Sequence, residues 1–126
     1  TPFVATFFGE ASFLPVTWDP GERRLDGPAG ALAVDAETAA RFDGVRRGRL
    51  MVRPEGFLAS DRGTFTGRVA SAVFLGDRRR VTVEVAGVEA PLAVDLPASR
   101  PVALGDALTL AVDLTTSALL PEETEG

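Results

Sequence analysis

The chain has 126 residues, a formal net charge of -5, 45% hydrophobic and 25% charged residues, which fits one folded domain with a sizeable core. All 13 cations are arginine, and Lys, Ile, Asn, Gln, Tyr, His and Cys are absent. That excludes a Ser-His-Asp triad, a Cys-His pair, a Schiff base, an imidazole or thiolate metal site and a lysine-bearing phosphate loop, so this stretch is expected to hold no catalytic residue, metal or cofactor, ATP included.

Residues 1–9 read as a short helical turn, with a Thr cap, Pro2 at the first helical position, Phe3 and Phe7 four apart, and Gly9 as terminator. Its apolar face needs a docking surface. Residues 12–18 read as a strand in which Pro15, having no N–H, predicts an edge position or an irregularity, and Asp19, Pro20 and Gly21 end it. Residues 23–26 and 30–34 are short strands about a Gly27-Pro28 turn. A helix of one or two turns is expected over 36–42, capped by Asp35 and stopped by Gly44. Residues 49–53 form a strand that Pro54 halts, and another begins near Phe57.

The second half carries the clearest β pattern. Strands are expected over 64–75 and 80–85, joined by a Gly76-Asp77 turn, with Val81, Val83 and Val85 on one face and Thr82 and Glu84 on the other. Ala86-Gly87 predicts a tight hairpin into a strand over 88–94 that Pro91 confines to an edge or a break. Gly105-Asp106 precedes a last strand over 108–114. About eight or more short strands with frequent Gly or Pro turns, and one or two short helical turns, predict an all-β chain, a small OB-type β-barrel.

Few residues stand out chemically. The 18 carboxylates are scattered without a clustered motif, which favours solvated surface charge over a paired acid and base, and no run resembles a calcium loop. The acidic net charge argues against a nucleic-acid partner despite two basic knots, Arg46, Arg47 and Arg49, and then Arg78, Arg79 and Arg80. The second knot reads either as an anion site or as a solvated strand end. Trp18, the single tryptophan, is expected in the core. Gly76 and Gly105 are expected to be turn glycines with positive φ.

Several segments, taken together, carry a resemblance. Arg53-Pro54-Glu55 follows a hydrophobic strand, Gly67-Arg68-Val69 runs on to Phe74-Leu75-Gly76, Gly105-Asp106 precedes a Leu/Val strand, and Ala118-Leu119-Leu120-Pro121 closes the series. In that order they resemble the transport-associated OB (TOBE) domains of bacterial ABC importer ATP-binding subunits. The stretch from Phe3 through Phe8 to Phe13-Leu14-Pro15 resembles the segment that joins the nucleotide-binding domain to such a region. Arg53-Pro54-Glu55-Gly56-Phe57 and the closing segments are most similar to the ferric-iron importer subunits, although polyamine and sugar importers share most of this frame.

The resemblance implies a non-catalytic regulatory and dimerisation domain spanning residues 1–126, with 1–10 as the connecting segment and 122–126 as a flexible acidic tail. ATP and Mg would belong to the nucleotide-binding domain. The implied partners are a second copy of the subunit, its own nucleotide-binding domain and, indirectly, the transmembrane permease at the cytoplasmic face of the inner membrane. Candidate interface residues are Arg53, Pro54, Glu55, Phe3, Phe7 and Phe8. For Arg53 and Glu55 the alternative is a solvated turn, where an exposed charge pair contributes only about 0–1 kcal/mol. A different functional reading is a sensor of small oxyanions, for which Arg78, Arg79 and Arg80 are the candidate cluster.

Overall fold

A computed structural model describes residues 11–28 and 30–121. Two five-stranded antiparallel sheets build the fold. The first contains β1 (Ser12–Asp19), β2 (Arg24–Gly27), β3 (Gly30–Ala33), β4 (Arg47–Val52) and β10 (Ala118–Pro121), in the order β10-β4-β1-β2-β3. The second contains β5 (Phe57–Ala59), β6 (Phe65–Phe74), β7 (Arg78–Val85), β8 (Leu92–Pro97) and β9 (Ala107–Val112), in the order β5-β9-β6-β7-β8. A 3-10 turn over Pro54–Gly56 carries the chain from one sheet to the other, and it packs with β5 against β8. The second sheet thereby curls into a nearly closed barrel, and the all-β, OB-type expectation holds.

Alternation of side chains places the core. Leu14, Val16 and Trp18 of β1 point inward and Leu50 and Val52 of β4 join them, while Val81, Val83 and Val85 of β7 and Leu108 and Leu110 of β9 do the same in the barrel. All belong to one contiguous cluster. Trp18 is buried as expected and meets the edge of Phe42 in a T-shaped contact, centroids 5.2 Å apart.

Pro15 marks the expected irregularity and not an edge position, because β1 is the central strand of its sheet. Trp18 N–H donates to Arg46 O at 2.7 Å, so the even residues of β1 bond toward β4 and Pro15 faces β2. Pairing with β2 ends at Thr17↔Asp26, and the next position facing Pro15 is Pro28. Two residues without N–H cannot extend a ladder, so the proline marks where pairing stops on one side and leaves the β4 side intact. The strand after it begins at Arg24, one residue later than expected, because Arg23 adopts φ 51°.

The expected helix is present as α1 (Ala36–Ala39) followed by a 3-10 turn over Ala40–Phe42. Asp35 caps it: Oδ1 accepts the Thr38 N–H at 2.7 Å. That backbone hydrogen bond, and then the one from the Thr38 side chain, holds the carboxyl below its ordinary value of 3.8. A lowered folded-state pKa contributes stability above the unfolded value that is lost as the pH falls through the folded value. Thermal melts of the wild type and Asp35→Ala should therefore differ by a constant amount above about pH 4 and converge in more acid solution. A gap that persists unchanged down to about pH 2 would contradict this role for the cap.

Three differences in the second half have local causes. β7 begins at Arg78 instead of residue 80, because Leu75 N–H donates to Arg78 O at 2.7 Å and closes the turn directly. Its Gly76 has φ +96°, and Gly105 has φ +88° before β9, both as turn glycines require. The Ala86-Gly87 turn forms, with Val88 N–H donating to Val85 O at 3.1 Å and Gly87 at φ 86°, but the strand after it starts only at Leu92, past the break at Pro91, and extends to Pro97. The last expected strand ends at Val112, where Asp113 caps a 3-10 turn over Leu114–Thr116. Finally, β6 carries a bulge between Val69 and Ser71. The connecting segment at 1–10, with its expected helical turn, and the tail at 122–126 lie outside the described residues.

Candidate functional site

The turn that joins the two sheets is the first candidate. Arg53 leaves β4 in an extended conformation, Pro54 opens the 3-10 turn, and Gly56 N–H donates to Arg53 O at 2.8 Å. Asp113 N–H then donates to Gly56 O at 2.8 Å, tying the turn to the end of β9. Pro54, Gly56 and Phe57 are buried, whereas Arg53 and Glu55 are exposed. The turn is thus anchored by its apolar members and presents one charge of each sign to solvent. Both earlier readings of Arg53 and Glu55, contact or solvated turn, fit that placement. Phe3, Phe7 and Phe8 lie outside the described residues.

The second candidate, the arginine run, is organised by strand parity. Arg78 and Arg80 project from one face of β7 toward Asp95 on β8, with which Arg80 is in direct register. Arg78 Nε donates to Asp95 Oδ2 at 3.0 Å, Arg80 donates through Nε to Oδ1 and through Nη2 to Oδ2, and Asp77 lies 2.9 Å from Arg78 Nη1. The Asp95 side chain is only 8% exposed. Arg79, on the opposite face, donates to Ala98 O at 3.2 Å and lies 5.5 Å from the Phe74 ring centroid.

This is neither a solvated strand end nor an open anion site. The place where an oxyanion would bind holds the chain's own carboxylate, which already takes charge-assisted hydrogen bonds from two guanidinium groups. Sequence reasoning missed Asp95 because its partners lie on a neighbouring strand. The signal available was Asp95 at an alternating position of the strand that follows three arginines across one turn.

The remaining surfaces offer less chemistry. A polar cleft of about 300 Å³ between β5 and β9 is lined by Ser60, Asp61, Arg100 and Thr109, among others. Its hydroxyls are engaged within the fold, Ser60 Oγ by the Arg62 N–H at 3.2 Å and Thr109 by Thr66 at 3.0 Å. Among the described residues no group of three or more metal-ligating side chains converges, and no helix is long and apolar enough to cross a membrane. In the first basic knot, Arg49 lies 5.4 Å from the Phe13 ring on the outer face of the first sheet, and Arg46 and Arg47 are exposed.

Comparison with known proteins bears on the same region. A family model described as a TOBE domain matches residues 50–119, from β4 through the joining turn and the whole barrel into β10. No curated protein matches the chain.

Proposed function

Because this chain belongs to the TOBE-domain family, whose members are typically non-catalytic regulatory domains of ABC importer ATPases, we propose that it is the regulatory and dimerisation region of such an ATP-binding subunit. The observation that carries this reading is the family match from β4 to β10, over more than half of the chain. The subunit would act at the cytoplasmic face of the inner membrane, attached peripherally through the permease, with ATP and Mg held by its nucleotide-binding domain. The solute would be ferric iron, in keeping with the resemblance of the Arg53–Phe57 segment and the closing segments, ahead of a polyamine or a sugar.

The partners of this region would be a second copy of the subunit and the nucleotide-binding domain, with Phe3, Phe7 and Phe8 against the latter and Arg53 and Glu55 at an intersubunit contact, for which Pro54, buried beneath them, fixes the turn. The oxyanion-sensor reading loses its candidate cluster to Asp95. The direct test is the coding sequence upstream of Thr1. It should encode an ABC nucleotide-binding domain with a GxxxxGK[ST] loop, whose lysine and backbone N–H groups cradle phosphates. An upstream sequence without that loop would overturn the ATPase-subunit reading.

A further inference from the structure

The ladder between β10 and β4 leads straight from the paired strands to a run of unpaired arginines. Ala118, Leu119, Leu120 and Pro121 lie opposite Met51, Leu50, Arg49 and Gly48. The same register sets residue 122 opposite Arg47 and residue 123 opposite Arg46, and both of those positions are glutamates.

Backbone parity favours the continuation. Trp18 N–H donates to Arg46 O at 2.7 Å, so the even residues of β4 bond to β1 and its odd residues turn their N–H and C=O groups toward β10. Arg49 and Met51 meet Leu120 and Ala118 in this way, while Pro121, opposite Gly48, stands where the ladder needs no N–H. Arg47 also belongs to β4, and its backbone groups face the position of residue 122.

The side chains add charge to the same register. Arg47 and Arg49 project from the outer face of the first sheet, and Arg46 is exposed where β4 begins. Among the described residues neither Arg46 nor Arg47 has an ion-pair partner, and Arg49 touches only the Phe13 ring. The carboxylate that shares a row with Arg47, Asp26 beyond Thr17, is already taken by Arg24, whose Nε donates to Oδ1 at 2.7 Å.

We propose that Glu122 and Glu123 extend β10 along β4, so that the acidic segment 122–125 of this chain covers the basic face of Arg46, Arg47 and Arg49. Glu122 then lies on the outer face with Ala118 and Leu120, directly beside Arg47 and diagonal to Arg49, and Glu123 falls beside Arg46. In place of the flexible tail expected from sequence, the segment is a strand end that shields this surface. An anionic partner of the face has to displace it.

Amide hydrogen exchange of the 126-residue chain, followed residue by residue by NMR, tests this. The Arg47 N–H should be protected together with those of Arg49 and Met51. Ending the chain at Pro121 should speed its exchange on the order of 10-fold or more, while Val81 and Val83 in the barrel keep their protection. Arg47→Glu should lose the protection at position 47, and Glu122→Arg added to it should restore the protection, a rescue that a loss of packing alone would not show.

An Arg47 N–H that exchanges like an unstructured amide in the wild type, or one indifferent to the truncation, overturns the extension of β10. A loss in Arg47→Glu that Glu122→Arg fails to reverse overturns the charge pairing.

Discussion

Replacing Phe42 with alanine should remove about 3–5 kcal/mol of stability. The ring is 1% exposed and packs edge-on to Trp18, with an interplanar angle of 82°, so truncation deletes buried apolar surface, an aromatic contact and the volume that held both. The site cannot collapse easily, because Trp18 is held in the central strand between β2 and β4. Against the roughly 5–15 kcal/mol that stabilises an ordinary domain, the loss is a large fraction. Urea denaturation checks it, and the single tryptophan supplies a probe at the site itself. Its emission in the folded variant should shift to the red as water reaches the indole. A loss below about 1 kcal/mol would contradict the packing described for this pair.

Asp95→Ala should destabilise by about 2 kcal/mol and, at the same time, create an anion site. Breaking a fully buried ion pair costs about 3–5 kcal/mol, but the Arg78 and Arg80 side chains are 43% and 20% exposed and water relieves part of the repulsion left behind. In the variant, sulfate or phosphate can take the position of the lost carboxylate. An ion at 100 times its dissociation constant would restore about 2.7 kcal/mol. The wild type should show no thermal shift with molybdate, sulfate, phosphate or ferric citrate, because its arginines are already engaged. A clear shift of the wild type with any of these would favour the oxyanion-sensor reading over the regulatory one.

How much of the fold was legible depends on whether burial was one-sided. β7 and β9 were readable from sequence because one face of each is buried and the other is not, so Val81-Thr82-Val83 and Leu108-Thr109-Leu110 alternate. β10 was not recognised as a strand. Ala118, Leu119 and Leu120 are all partly buried with no alternation, and Pro121 closes the run; the four residues match β4, which is distant in sequence. Pro15 left edge and irregularity open, and the register with β2 decides for an irregularity on one side of a central strand.

The candidate site was legible in composition and opaque in geometry. Arg53, Pro54 and Glu55 do sit at a structurally distinct place, the passage between the sheets. That Pro54 and Gly56 would be buried there and the two charges exposed follows from how β4, β8 and the end of β9 meet. Asp95 needed the β7–β8 register, of which its alternating position in the strand after the arginines was the only local sign. The exposed end of β6 also left a signal that was present and unread, namely the loss of polar alternation from Ala70 to Leu75.

The pairing of β10 with β4 also bears on biosynthesis. Every strand of the barrel lies between these two in the chain, so a ribosome delivers the complete second sheet before the residues that cover the β4 edge of the first. During that interval Leu50 and Met51 lack their β10 neighbours, Leu119 and Ala118. A nascent chain stalled before Ala118 would therefore expose a bare, hydrophobic strand edge to solvent, a natural point of engagement for a chaperone or of misassembly with a neighbouring polysome product.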